Sequence, residues 1–465
     1  MFQFDDLKTL QYPLPEDIRK LKGYGDYERL NRVIDLRLAD ESLPEAMKTR
    51  LRLEKQICAR LPQAYPYDFE SALKKLRDAL EGATAEELER FRDLGWVDWI
   101  YINGRVHFHS LFVSNLIKTR AELEDRVKDP QRLADKHEGA SALDAVIEEM
   151  KANGGAARRF HMRHALSVEP EKVREGADIL VHLPLPVEYD YVKNFRLIDA
   201  GPRPFTVAPP LAAQRTIAFQ KPLAEGDVFF AEYSFETHMK YHVLSPEDAR
   251  IALPEDGLDD CLGEQAPHIA FTPLVRRLAA ELAGEETNPL LLARRAYDYL
   301  TKKPVYSFVR SYFTIPSLTE YMLSGMKGDC GIFALCFITL CRCMGVPARW
   351  QSSLYCAPHD VGWHDWAEFY CAPWGWLPVD VSFGNSVWHA GSALRHEFYF
   401  GNLDPFRLPA ARAFQKPFDP PKKHLRYDPY DNQSGEAEYS DEGLMHADVR
   451  EDCEMLAWER IAPEL

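Results

Sequence analysis

An α+β fold is predicted for this 465-residue chain, with a helical region first, a β-rich domain next and a mixed helix-and-sheet core last. Three observations predict it. Apolar residues recur at three- and four-residue intervals through residues 1–125, the helical period. Residues 157–248 instead carry alternating, strand-like runs between Pro- and Gly-bearing turns. Finally, "GDCGIFALCFITLCRCMGVPAR" (Gly328 to Arg349) reads as one apolar helix leading into further strands.

Residues 1–125 open with "PEDIRKLKGYGDYERLNRVIDLRLA" and "DFESALKKLRDALEG", both of helical period. Thr84 and Glu87 in "TAEELERFRDLG" form a capping-box pattern. "WIYINGRVHFH" follows as a hairpin turning at Asn103-Gly104. His107 and His109 share a strand face there, but with no third ligand nearby they read as packed or solvated histidines. Residues 126–156 form a charged linker and helix. In 157–248 the runs "RRFHMRHALSVEP", "ADILVHLPLP", "QRTIAFQKPL" and "DVFFAEYSFETHMKYHVL" suggest a β-sandwich-like domain. "TPLVRRLAAELAG" and "NPLLLARRAYDYLTKK" are helices that open the core, residues 262–400. Residues 401–465, rich in Pro, Asp and Gly, read as an extended segment that either packs over another domain or stays loose.

Composition narrows the function classes. With 46% hydrophobic and 28% charged residues the chain reads as a soluble globular protein, and length alone suggests about three domains. A formal net charge of -16 argues against nucleic acid as a partner. No apolar run approaches the ~20 residues of a membrane span, and the first residues carry no secretory pattern. Nine cysteines, six of them from Cys330 to Cys371, suit reduced thiols and a cytoplasmic location better than a disulfide framework. Zinc is disfavoured, because the one close pair, Cys341 and Cys343, points apart on a helix. Zinc is therefore not expected.

Cys330 stands apart from the other thiols. Asp329 is a plausible N-cap, and Gly345 with Pro347 supplies the stop, so Cys330 falls in the first turn of a helix. Unpaired N–H groups and the positive dipole end favour an anion there, and thiol pKa values fall at such positions. A packed first-turn thiol fits the geometry equally well. Downstream, "HDWAEFYCAPWGWLPVDVSFG" holds two strand-like runs around an Ala-Pro-Trp-Gly turn. His364 opens the first and Asp380 lies in the second, so an imidazole–carboxylate contact is feasible between neighbouring strands. Cysteine, histidine and aspartate in that order are the parts of a nucleophile, a base and its orienting group.

Through "GDCGIFALCFITLCRCMGVPAR", "HDWAEFY" and "GWLPVDVSFG", the stretch from Gly325 to Gly384 resembles the transglutaminase-like superfamily. That resemblance implies a papain-like α+β core, with the cysteine helix packed on an antiparallel sheet, and it extends to the β-sandwich-like domain that precedes the core. The N-terminal helical region before them has no equivalent in the family and is read from its periodicity alone. The resemblance implies Cys330 as nucleophile, His364 as general base and acid, and Asp380 as the residue orienting His364. His359 is the rival histidine but lacks the x-W-A-E context. Trp366 and Glu368 share the strand face of His364, to brace the site or simply to pack. The backbone N–H of Cys330 and a second donor, Tyr306 or Tyr312, would form the oxyanion hole. The implied activity is that of a cysteine hydrolase (peptidase or amidase) or acyltransferase. It would act on peptide-like or glutamine-type amides of a peptide or protein substrate through a thioester on Cys330. This chemistry needs no metal and no cofactor. The alternative is a catalytically idle binding or scaffold protein on the same fold.

Overall fold

The computed structural model describes residues 4–129, 131–251, 257–358 and 360–464. Helices Glu16–Tyr24, Tyr27–Leu38 and Glu45–Ala64 close around Ile18, Leu30, Ile34 and Leu51. A second small core gathers Leu76, Leu88, Phe108 and Phe112 from the helices and hairpin that follow. Local chemistry sets these boundaries. Thr84 accepts from the Glu87 N–H and caps Ala85–Asp93. Strands Trp99–Ile102 and Arg105–Phe108 meet at Asn103 and Gly104, with φ of 49° and 73°, the pair of left-handed residues a two-residue hairpin needs. His109 is buried edge-on to Tyr65, and burial holds its ring down to about 4.

Two four-stranded sheets follow. One orders Val449–Ile461, Gly155–Val168, Phe229–Lys240 and Val192–Gly201; the other orders Glu436–Tyr439, Asp178–Pro184, Thr216–Pro222 and Phe205–Val207. Phe160, Phe219, Phe229 and Phe235 help fill a shared apolar cluster. Each sheet takes an edge strand from residues 401–465, so of the two alternatives for this extended segment it is the packed one that the structure has. Val449–Ile461 pairs antiparallel along nearly the whole of Gly155–Val168. Its charged residues line an exposed edge, where they deter pairing with other chains, and they hide the strand from a search for apolar alternation.

The core is layered. Its sheet orders Gly375–Val379, Asp360–Cys371, Ala348–Ala357 and Arg407–Ala411, all antiparallel. Against one face lies the helix Cys330–Cys343, where Phe337 meets Phe369 edge-on at 5.9 Å. Its residues 331–342 are all buried. Side chains such as Phe333, Leu335, Phe337 and Ile338 contribute about 1.5–3 kcal/mol each, against propensity differences of a few tenths. Arg342 survives in this setting by donating to the carbonyls of Ala348 and Gly263. The other face packs on the β-rich sheets through Tyr355, Trp366 and Leu408. Alternation along Asp360–Cys371 therefore decides surroundings: Asp365, Ala367 and Phe369 face the cysteine helix, while His364 and Trp366 face the other way. Among the described residues no helix is long and apolar enough to cross a membrane.

Candidate functional site

Asp329 caps the cysteine helix, its carboxylate accepting from the Ile332 N–H at 3.4 Å and from the Tyr312 hydroxyl. Burial pushes this carboxyl up to about 6, although those two donors pull the other way. Cys330 occupies the first turn as expected and remains partly exposed. Gly331 must be glycine because of close approach. A Cβ there would run into the Tyr312 hydroxyl and sit 2.8 Å from Asp365 Oδ2. Gly331→Ala is expected to push Asp365 and Tyr312 off the helix start while leaving the rest of the helix formed. Faster alkylation of Cys330, with unchanged far-ultraviolet dichroism, would show it; an unaltered alkylation rate would refute it.

The thiol does not behave as the helix dipole alone would dictate. It donates to Asp365 Oδ2 at 3.3 Å, and Tyr306 also lies within reach. Burial, then the carboxylates of Asp365 and Asp329, push it well above the usual thiol range. The expectation of a lowered thiol pKa is thus corrected in this conformation: burial first, and the neighbouring carboxyl groups of Asp365 and Asp329 after it, outweigh the helix start.

The second half of the site lies one residue earlier on the strand. His364 Nε2 and Asp380 Oδ2 are 2.7 Å apart, and both side chains are buried. The ring stands 4.4 Å from Phe383 and stacks with Trp366. Asp380 also caps helix Val381–His389 by accepting from the Phe383 N–H at 2.9 Å. Beneath it the fully buried Arg407 donates to Asp380 at 2.7 Å and to Asp404 at 2.6 Å. Burial alone would raise the Asp380 carboxyl, but His364 and Arg407 outweigh it and hold it well below the usual carboxylate range. An ionised Asp380 fixes the Nε2–H tautomer, which leaves the lone pair on Nδ1.

The structure therefore joins His364 to Asp380 and gives the Cys330 thiol to Asp365 rather than to His364. Tyr312 is committed to Asp329, while Tyr306 stands beside the thiol. Glu368 is engaged by Arg349 at 2.5 Å, and the Trp366 indole N–H donates to Gln351. His359 lies outside the described residues. Sequence reasoning missed Asp365, Arg407, Asp404 and Gln433. Strand alternation was the signal for Asp365; nothing local marked the others. The flanking regions reach the site as well. From the N-terminal helices, Asn115 grips the Phe308 backbone at both N–H and C=O, and the Lys118 ammonium sits 3.9 Å above the Tyr306 ring. Arg60 donates to the Tyr427 carbonyl in the C-terminal segment. Among the described residues no group of three or more His, Cys, Asp and Glu side chains is arranged to hold a metal ion.

Residues 276–381 match the Transglutaminase-like superfamily. An uncharacterised protein of Haemophilus influenzae is 26% identical over 137 residues, which is 24% of this chain and 37% of the relative's length. Among solved structures, a candidate cysteine protease from Cytophaga hutchinsonii superposes with a TM-score of 0.40 at 13% identity, covering 65% of this chain and 91% of its own. The periplasmic domain of TgpA from Pseudomonas aeruginosa gives 0.29 at 15%, covering 54% and 95%.

Proposed function

Residues 276–381 form a transglutaminase-like core, and on that basis we propose a cysteine-dependent hydrolase or acyltransferase acting on peptide-like amides. The observation that carries this reading is the buried His364–Asp380 pair, one strand position from the residue that holds the Cys330 thiol. His364 stands on the strand face opposite Asp365, so the proposed reaction requires the strand first to bring the imidazole to the cysteine-helix side, where the thiol leaves Asp365 for His364 Nδ1. His364 takes the thiol proton as sulfur attacks the amide carbonyl, then passes it to the departing amine. The product is a thioester on Cys330, resolved by water or by a second amine with His364 now acting as base. Asp380 stays ionised throughout and holds the imidazole tautomer. The Cys330 N–H at the helix start and the Tyr306 hydroxyl are the proposed donors to the developing oxyanion.

A second reading, a catalytically idle binding protein, draws on the thiol's pairing with a carboxylate, which disfavours the thiolate. One experiment separates the two. The full chain is treated with p-nitrophenyl acetate, and acetyl groups are located by peptide mapping while p-nitrophenol release is followed. Enzyme predicts acetylation at Cys330, turnover beyond one equivalent, and loss of both in Cys330→Ala. Acetyl spread over several thiols without turnover would leave the idle reading.

A further inference from the structure

The Cys330 thiol is tied, through one carboxylate, to the last part of the chain. Asp365 Oδ2 accepts the thiol at 3.3 Å, and Asp365 Oδ1 accepts from Gln433 Nε2 at 2.6 Å. Both oxygens are thus committed, one to the candidate nucleophile and one to the segment that follows the core. That segment is anchored on either side of Gln433. Asn432 Nδ2 donates to the carbonyls of Arg215 and Ala410, and Glu436–Tyr439 pairs with Asp178–Pro184. Gln433 is therefore delivered to Asp365 by fixed backbone rather than by a loose end. On the other side, Gly331 has no side chain to hold Asp365 away from the helix start.

We propose that Asp365 is a positioning residue that sets when Cys330 ionises, with Gln433 holding its carboxylate against the thiol. The inference rests on reading Cys330 as the nucleophile but not on the amide reaction. An ionised carboxylate accepts S–H readily and repels S⁻, so the pair carries one proton between them. While Asp365 is charged, that proton stays on sulfur. Neutralising Asp365, or turning it aside, removes the repulsion. The surroundings act in the same sense. Asp329 faces the pair from the helix cap, Tyr306 and Tyr312 from the neighbouring wall, and Asp428 and Asp431 from the C-terminal segment. Arg426 and Arg60 are the cations that offset Asp428. Burial, with Asp329 and Asp428 beside it, raises the Asp365 carboxyl well above its usual range. The proton of the pair is therefore held tightly, and the C-terminal segment bears directly on nucleophile strength.

The test is the rate of iodoacetamide alkylation at each cysteine of the full chain from about pH 5 to 10, read by peptide mapping. Asp365→Asn keeps the shape and removes the charge. Its Cys330 profile is expected to move to lower pH, with a rate at pH 7 at least about tenfold higher, the effect of one unit in thiol pKa. Gln433→Ala should move it the same way by less, since losing that donor favours neutral Asp365. Buried Cys336 and Cys341 must stay protected; if they react as well, loosened packing explains the gain and the proposal fails. A wild-type Cys330 profile in Asp365→Asn, or one shifted to higher pH, overturns it. Should that variant not fold, Gln433→Ala decides alone, and a wild-type profile there overturns it. No amide turnover enters this readout. A protein that shows the shift but never turns over an acyl donor would sink the functional reading and leave this inference standing.

Discussion

Arg407→Met is expected to remove about 3–5 kcal/mol of stability, the cost of stripping one partner from a buried ion cluster. Arg407 is fully buried, and its two terminal nitrogens serve Asp380 and Asp404. Its guanidinium lies over the rings of Phe383 and Tyr355, 4.7 and 5.2 Å from their centroids. Burial works against its charge, but Asp404 and Asp380 more than offset this and keep it firmly protonated. Methionine fills much of the volume yet leaves two carboxylates facing each other without a cation. Chemical denaturation followed by tryptophan fluorescence reads the loss, and adding Asp404→Asn should recover part of it. A loss below about 1 kcal/mol would mean that the cluster is no more than a surface pair in effect. The pH dependence has a definite sign. A carboxyl depressed on folding stabilises above its unfolded pKa and loses that contribution as pH falls through the folded value. The gap between wild type and Arg407→Met should therefore be full at neutral pH and narrow below about pH 4, the unfolded aspartate range.

That cluster also marks where the sequence stops being legible. The cysteine helix could be read from composition and caps, and Cys330–Cys343 begins after Asp329 and ends before Gly345. Two strands and a turn made a contact between His364 and Asp380 feasible without fixing its register, and Asp380 falls just past the strand Gly375–Val379, as the cap of the helix that follows. Arg407 did not, because it sits 27 residues beyond Asp380 in a Pro-bearing stretch without periodicity. Its partner is chosen by tertiary packing, on which local sequence is silent. Asp365 was hidden differently. Standing next to His364, it reads as a neighbour of the base, yet a strand turns each successive side chain to the opposite face. The ladder pairing Ser352 with Asp365 and Ser353 with His364 puts the acid against the cysteine helix and the histidine toward the β-rich domain. The C-terminal strands were obscured by charge, since Arg450, Asp452 and Glu454 suit an exposed edge and look like a solvated tail.

For acyl transfer, the largest loss short of removing sulfur should come from His364. His364→Ala is expected to lower kcat/KM toward an amide by about 10²- to 10⁴-fold, the usual worth of a positioned acid–base group. Asp380→Asn should approach that loss while the imidazole remains, for an electrostatic reason. An amide in place of the carboxylate can donate to Nε2, which moves the ring proton to Nδ1 and takes away the lone pair needed to accept from sulfur. It also leaves Arg407 with Asp404 alone, so Asp380→Asn should cost stability through the buried charge cluster, while His364→Ala costs it through the cavity left beside Phe383 and Trp366. The two variants are thus alike in rate. Rates are compared at a temperature where both are folded, using an activated ester beside the amide. Because an ester leaving group needs little protonation, His364→Ala should lose less on the ester than on the amide. Equal loss on both would mean that His364 supports the fold of the site and does not carry the proton.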